Sequence, residues 1–292
     1  MLLFLLSLLW GCAFFFGKLA IVEIPPLTLA LGRVLIAAAV LAVFVRIGGL
    51  SSSQSWSSYL MLGLLQNVIP FGLVFWGQIY IPSSLSAILI ATTPLFTVLI
   101  AHIATVDDKL TLTRLIGLVT GFFGVAIVIG PDLLHEFGTN LAAEIASLLG
   151  ALSYAIAGVY GRRFRNEPPL VVSTGQLIAA TIILAPAAAL IDRPWILPFP
   201  SSTALCSLLA LAIFSTALGY LVYFRILSRA GATNVMLVTF LMPVSAILLG
   251  SIILDEHVTL RHLAGLATIA IGLAVIDGRV TNYLGLTRRK YS

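Results

Sequence analysis

Charge is what this chain has least of. Only 9% of its 292 residues are Asp, Glu, Lys or Arg, while 60% are hydrophobic; soluble domains carry about 25% charged residues. That leaves too little polar surface to coat a water-soluble body, which excludes that class. No charged side chain occurs from Ile47 to Val106, a run far beyond the ~20 residues of one membrane crossing, so the chain must fold back within the bilayer. Cysteine is nearly absent as well. Cys12 and Cys206 both lie in apolar runs, and two such residues cannot form a disulfide framework.

Catalytic and metal-binding clusters are also missing. The nearest approach is Asp255, Glu256, His257 and His262. The two histidines are five residues apart, which misaligns them on one helix face. The sequence therefore predicts no enzyme, no metal and no other cofactor. A net charge of +5 could suggest a nucleic-acid partner, but such proteins gather charge on one face or stripe. Here basic residues punctuate apolar runs, the pattern of membrane loops. No nucleic acid is expected as a partner.

What is present is a succession of apolar segments bounded by charge, Pro, Gly or Ser. Ten are predicted as spans: 2–21, 27–46, 58–79, 83–104, 112–130, 141–162, 169–191, 203–226, 232–253 and 259–277. The first has no basic residue before Lys18 and carries Trp10 just ahead of Cys12, so it reads as a retained helix and not as a signal peptide. With the N-terminus in the cytoplasm, twelve of the sixteen Lys and Arg fall on the inner side, placing both termini inside. The fold class expected is an all-α polytopic membrane protein.

The two halves align on each other. Pro25-Pro26-Leu27 followed by Gly32-Arg33 matches Pro168-Pro169-Leu170 followed by Gly175-Gln176. Trp10 matches Tyr154, Pro94 matches Pro243, and Asp108 with Gly117 and Gly124 matches Glu256 with Gly265 and Gly272. Five spans per half is an odd number, so the second copy enters the membrane in the opposite sense. The organisation predicted is two inverted five-helix repeats, 1–131 and 141–278, with a basic cytoplasmic tail at 279–292. Inverted repeats are a mark of secondary transporters that bind substrate at the repeat interface.

These same residues carry a family resemblance. Trp10-Gly11 with Lys18, Pro26 with Arg33, Pro94-Leu95, and Asp108 with Gly117 and Gly124 resemble the EamA-type repeat of the drug/metabolite transporter superfamily. Pro243, Glu256, Gly265 and Gly272 resemble it a second time. One departure is Asp107-Asp108 where the family usually has Glu. The resemblance covers essentially the whole chain and is closest to bacterial ten-helix amino-acid exporters. It implies a multi-pass inner-membrane carrier whose partners are the lipid bilayer and a small solute; the sequence leaves the oligomeric state open, a monomer among the options. The alternatives it leaves open are another metabolite or drug, or a lipid- or sugar-linked species.

Candidate substrate contacts are polar or aromatic groups of the first, third, sixth and eighth spans: Trp10, Asn67, Phe71, Gln78, Tyr154, Thr216, Tyr220 and Tyr223, of which Asn67, Thr216 and Tyr220 lie well inside. Such groups cost free energy in lipid unless they face the bundle or a wet cavity. Ser86, Thr92, Thr93, Asn234 and Thr239 add hydroxyls and amides. Tyr59 and Trp195 are assigned to the interfacial belt. Pro94 and Pro243 bend their helices, as static curvature or as a pair of gates. The paired glycines are read as helix packing sites. Lys18 and Arg33, placed towards the outer ends of the first two spans, either attract a substrate carboxylate or snorkel to the headgroups; for Lys18, snorkelling or pairing with Glu23 is the expectation. No Asp or Glu lies at the middle of a span, which argues for facilitated transport and against a cationic drug as cargo.

Overall fold

The computed structural model describes residues 2–51, 53–104, 110–129, 139–223, 225–226 and 238–277, without the side chains of residues 239 and 240. Every regular element among them is helical. Eight helices are long and apolar enough to cross a membrane: α1 (Leu2–Ala20), α2 (Pro26–Ile47), α3 (Trp56–Tyr80), α4 (Ser83–Ala104), α5 (Leu112–Ile129), α6 (Thr139–Phe164), α7 (Pro169–Asp192) and α8 (Ser202–Tyr223). Two further apolar helices follow, α9 (Val238–Ile253) and α10 (Leu260–Asp277). Asp107, Asp108, Asn234, the Thr239 side chain and the 279–292 tail lie outside the described residues.

The outside of the bundle is apolar. Leu35, Val119, Phe123, Ile182, Leu190, Ile252 and Leu260 are all more than half exposed. In water so large an apolar surface would drive association; in a bilayer it is solvated. The inside is the more polar region, with Asn67, Gln78, Ser86, Ser147 and Thr216 buried.

Both Pro-Pro pairs start a helix. Pro26 and Pro169 open α2 and α7, with Pro25 and Pro168 in the preceding cap positions. A first-turn proline gives up an N–H that has no intrahelical partner anyway. Pro94 breaks α4: the chain turns at Ala91-Thr92 between Ser83–Ile90 and Thr93–Ala104. The carbonyl of Ile90, which Pro94 cannot serve, accepts instead from the Thr93 hydroxyl at 2.7 Å, and Leu89 accepts from Thr92 at 2.6 Å. Pro243, by contrast, sits within a continuous α9. The helix is thus interrupted at Pro94 and runs on through Pro243.

Helix pairing is reciprocal between the halves. Helix α1 packs on α8 and α9, while α6 packs on α3 and α4; α2 lies against α7 and α5 against α10. The α5–α10 pair is in close backbone contact: a Cβ added at Gly272 would stand 2.6 Å from the Gly117 carbonyl oxygen and one at Gly124 2.9 Å from that of Gly265. The glycines are the packing sites that the sequence predicts. Tyr59, assigned to the interfacial belt, is instead 5% exposed and packs against Phe164. Trp195 is 68% exposed, as a belt residue would be.

Polar ties join connections at each end of the bundle. At one end, the Ser201 amide and hydroxyl both donate to the Glu23 carboxylate at 2.6 Å, and the Thr28 amide and hydroxyl donate to Asp192. At the other, the Ser53 hydroxyl donates to Glu167 at 2.6 Å.

Candidate functional site

Helix α2 carries Arg33 two turns past its proline start. From that depth the side chain could extend to the headgroups. It turns inward instead. The guanidinium carbon lies 3.9 Å above the Phe71 ring of α3 and 5.9 Å from Phe75, and Nε donates to the Thr216 hydroxyl of α8 at 2.9 Å. A cation over an aromatic face gains about 0.5–2 kcal/mol, more when desolvated. Snorkelling, one of the two expectations for this residue, does not occur.

Three helices meet at the guanidinium because of their backbones. Residues Leu64–Val68 of α3 and Leu211–Leu218 of α8 form wide π turns. Such turns are rare and gather at functional sites. In α8 the turn is stitched by the Thr216 hydroxyl donating to the Leu211 carbonyl at 2.9 Å, so Thr216 serves its own helix and Arg33 at once.

The ionisable side chains near Arg33 are two neutral tyrosines, Tyr154 of α6 and Tyr220 of α8. Tyr220 accepts from Gln176 Nε2 at 2.8 Å. Gln176 is the repeat partner of Arg33, so equivalent positions in the two halves reach one cluster. Among the described residues no carboxylate pairs with Arg33, and neither of its terminal amino groups finds a hydrogen-bond acceptor. Arg33, Tyr154 and Tyr220 lie deep in the bundle yet each keeps some accessible surface, so open space adjoins them. A charge held in a low-dielectric interior without a counter-ion is costly, and the free planar fork matches a carboxylate or phosphate in geometry.

The remaining candidates fall at known distances from this centre. Trp10 stacks on Tyr223 with ring centroids 5.7 Å apart, and its indole edge approaches Gly219, next to Tyr220. Asn67 is completely buried on the π turn of α3, and neither its amide nitrogen nor its oxygen has a partner among the described residues. Leaving such a group unsatisfied costs about 1–3 kcal/mol. Gln78 ties α3 to α1: its amide nitrogen donates to the Phe14 carbonyl at 3.2 Å, while its buried oxygen has no partner among the described residues.

Gln78 leads to a second polar cluster. Lys18 Nζ donates to the carbonyls of Gln78 and, at 3.0 Å, Ile81. It thereby caps the end of α3, where a cation complements the helix dipole, and neither snorkels nor pairs with Glu23. Just beyond, Glu256 accepts from the amides of Ser83 at 2.7 Å and Ser84 at 3.0 Å, and from the Ser84 hydroxyl at 2.7 Å. It caps the start of α4 from the α9–α10 connection. Asp255, at φ 52°, makes the left-handed turn that points Glu256 back. Both Glu256 oxygens are engaged, which accounts for this residue without a metal.

Glu144 of α6 is 3% exposed. The bundle therefore does hold a buried carboxylate, although no acid lies at mid-span.

Sequence reasoning named Arg33 only as one side of an alternative and Gln176 only as its replacement. The signal that could have found them was their shared place after the Pro-Pro and Gly landmarks.

Comparison with known proteins gives a consistent picture. The "Uncharacterized transporter YoaV" of Bacillus subtilis is 26% identical over 91% of this chain and 92% of its own. The "Uncharacterized inner membrane transporter YedA" of Escherichia coli K12 is 28% identical over 97% and 90%. A "Probable amino-acid metabolite efflux pump" from the same organism is 25% identical over 98% and 95%. A solved crystal structure superposes with a TM-score of 0.68 at 20% identity, covering 94% of this chain and 95% of the other, which shows a shared fold. The EamA-like transporter family matches residues 1–130 and again 141–277, and with nearly the whole chain so covered, this protein belongs to the EamA-like transporter family.

Proposed function

We propose that this transporter exports amino acids, those with apolar or aromatic side chains first, by alternating access between two inverted five-helix repeats, 1–131 and 141–278. The observation that carries the reading is the free Arg33 fork, stacked on Phe71 among Thr216, Tyr154 and Tyr220. An α-carboxylate supplies the counter-ion, and the surrounding rings suit an apolar or aromatic side chain. Trp10 and Tyr223 extend that aromatic wall; Phe71, Thr216, Tyr154 and Tyr220 line it. Gln78 is assigned to the tie between α1 and α3 rather than to substrate. A positive centre makes cations poor cargo.

Support for the inverted repeat comes from the reciprocal helix pairing and from the two Glu–Ser ties. Glu23 precedes one Pro-Pro pair and holds Ser201; Glu167 precedes the other and holds Ser53. The ties lie at opposite ends of the bundle, as two copies threaded in opposite senses require. With both termini in the cytoplasm, the Glu23, Lys18 and Glu256 contacts fall on the outer side. The break at Pro94 is the stronger gate candidate, and Pro243 within α9 is its counterpart. Export as the direction rests on the efflux pump among the relatives. Transport without ion coupling follows from the lack of a carboxylate beside Arg33 among the described residues; buried Glu144 is the group through which a proton would be coupled instead.

Proteoliposomes preloaded with unlabelled amino acids and offered labelled phenylalanine, leucine or alanine test this. Counterflow is expected for apolar and aromatic amino acids, unchanged by an imposed proton gradient. R33Q should lower it more than about tenfold, the loss expected from removing a charge-assisted pair. Counterflow that survives R33Q intact, or that runs only with a proton gradient, refutes the corresponding part.

A further inference from the structure

The geometry points to Asn67 as the residue that reads the ammonium group of the solute, so that Arg33 and Asn67 together select an α-amino acid over a simple carboxylate. This rests on the carboxylate reading of Arg33.

Asn67 lies four residues before Phe71, whose ring supports the Arg33 guanidinium. Residues four apart on a helix are neighbours on one face, roughly 5–6 Å between Cβ atoms, so Asn67 sits about one turn from Phe71. The π turn that carries it, Leu64–Val68, packs against α2, α6 and α7, the helices bearing Arg33, Tyr154 and Gln176. Asn67 is therefore on a turn packed against the helices that carry the site.

Its amide is the one fully buried side chain there with both polar atoms unpartnered among the described residues. A buried amide in a packed interior is normally satisfied; one that is not calls for an account. An α-amino acid provides it. The carboxylate and the ammonium are borne on one carbon, so their recognition groups must be neighbours. The carboxylate takes the Arg33 fork and accepts from Asn67 Nδ2. The ammonium donates to Asn67 Oδ1, with the Phe71 and Tyr154 ring faces beside it as cation–π surfaces. A solute lacking the ammonium leaves Oδ1 buried and unpaired, which is how a polar site rejects an analogue that lacks one group.

The test compares L-phenylalanine, 3-phenylpropionate and phenethylamine as competitors of labelled L-phenylalanine counterflow in proteoliposomes. The wild type should require at least about tenfold more 3-phenylpropionate than phenylalanine, and phenethylamine should compete least. In N67L both carboxylates lose the Nδ2 contact but phenylalanine alone also loses the Oδ1 contact to its ammonium, so the gap between phenylalanine and 3-phenylpropionate should close to about twofold. N67S, which keeps a small acceptor, should retain part of the gap and covers the case in which N67L does not fold, judged by its melting transition. Equal competition by the two carboxylates in the wild type, or an unchanged gap in a folded Asn67 variant, overturns the inference while leaving the role of Arg33 standing. Indifference of all three probes to R33Q overturns both.

Discussion

Replacing Gly272 by alanine tests how the bundle is held together. The new methyl would stand 2.6 Å from the Gly117 carbonyl oxygen, 2.6 Å from the Gly121 nitrogen and 2.8 Å from the Gly121 Cα. All three are backbone atoms of α5, so no side chain can swing aside. To go from 2.6 Å to the 3.4 Å at which ordinary contact begins, the helices must part by about 0.8 Å. A gap of that size forfeits about a quarter to a half of each contact's attraction, itself about 0.1–0.2 kcal/mol per atom pair. Over roughly thirty pairs the loss is about 1–3 kcal/mol, in the range of other overpacking substitutions. For a chain of this length that is a fall of about 2–6 °C in Tm. Gly158 is the control: it lies in α6 with nothing within 4 Å of its would-be Cβ. Alanine there should stabilise by about 0.5–1 kcal/mol through helix propensity. Intrinsic tryptophan fluorescence during heating in detergent measures both. If G272A melts with the wild type, or no lower than G158A, the glycines are not what brings α5 and α10 together.

Two further outcomes follow from the polar ties. E256Q leaves the fold intact but weakens three hydrogen bonds to Ser83 and Ser84; a cysteine placed at Ser84 should then react several-fold faster with an impermeant thiol reagent added from outside, in a background lacking Cys12 and Cys206, and an unchanged rate would show that the Glu256 cap does not hold α4. The Ser201 hydroxyl and amide hold the Glu23 carboxyl below its ordinary value of 4.5. Because the folded value is the lower one, that tie contributes fully above about pH 4.5 and is lost as pH falls through the lowered value. Hydrogen exchange at the Ser201 amide should accelerate on acidification in wild type beyond the intrinsic trend, and a pH response identical to that of E23Q would refute it.

Patterns confined to neighbours in sequence were readable. The charge-free run from Ile47 to Val106 required the chain to re-enter the bilayer, and α3 and α4 do lie in it. Both Pro-Pro pairs start helices, and the glycine pairs lie at close backbone contacts. The two mid-span prolines sit in different local structure, because Thr92 and Thr93 can satisfy carbonyls at the α4 break and so make a break tolerable there. Phe71, Tyr154, Thr216 and Tyr220, singled out from the sequence, lie around Arg33. Gln78 was not separable from them by sequence, since its distinction is a bond to the Phe14 carbonyl, 64 residues away.

What the sequence by itself determined is the class of solvent, the number of apolar segments and the likeness of the halves, since hydropathy and spacing are properties of the chain alone. Where each side chain points was decided only by the tertiary structure. A helix that is apolar all round has no stripe to declare which face is inward, so Arg33 was free to face headgroups or bundle until Phe71 and Thr216 came beside it. Glu256 in the same way found its partners 173 and 172 residues away, at a helix end that no local pattern specifies.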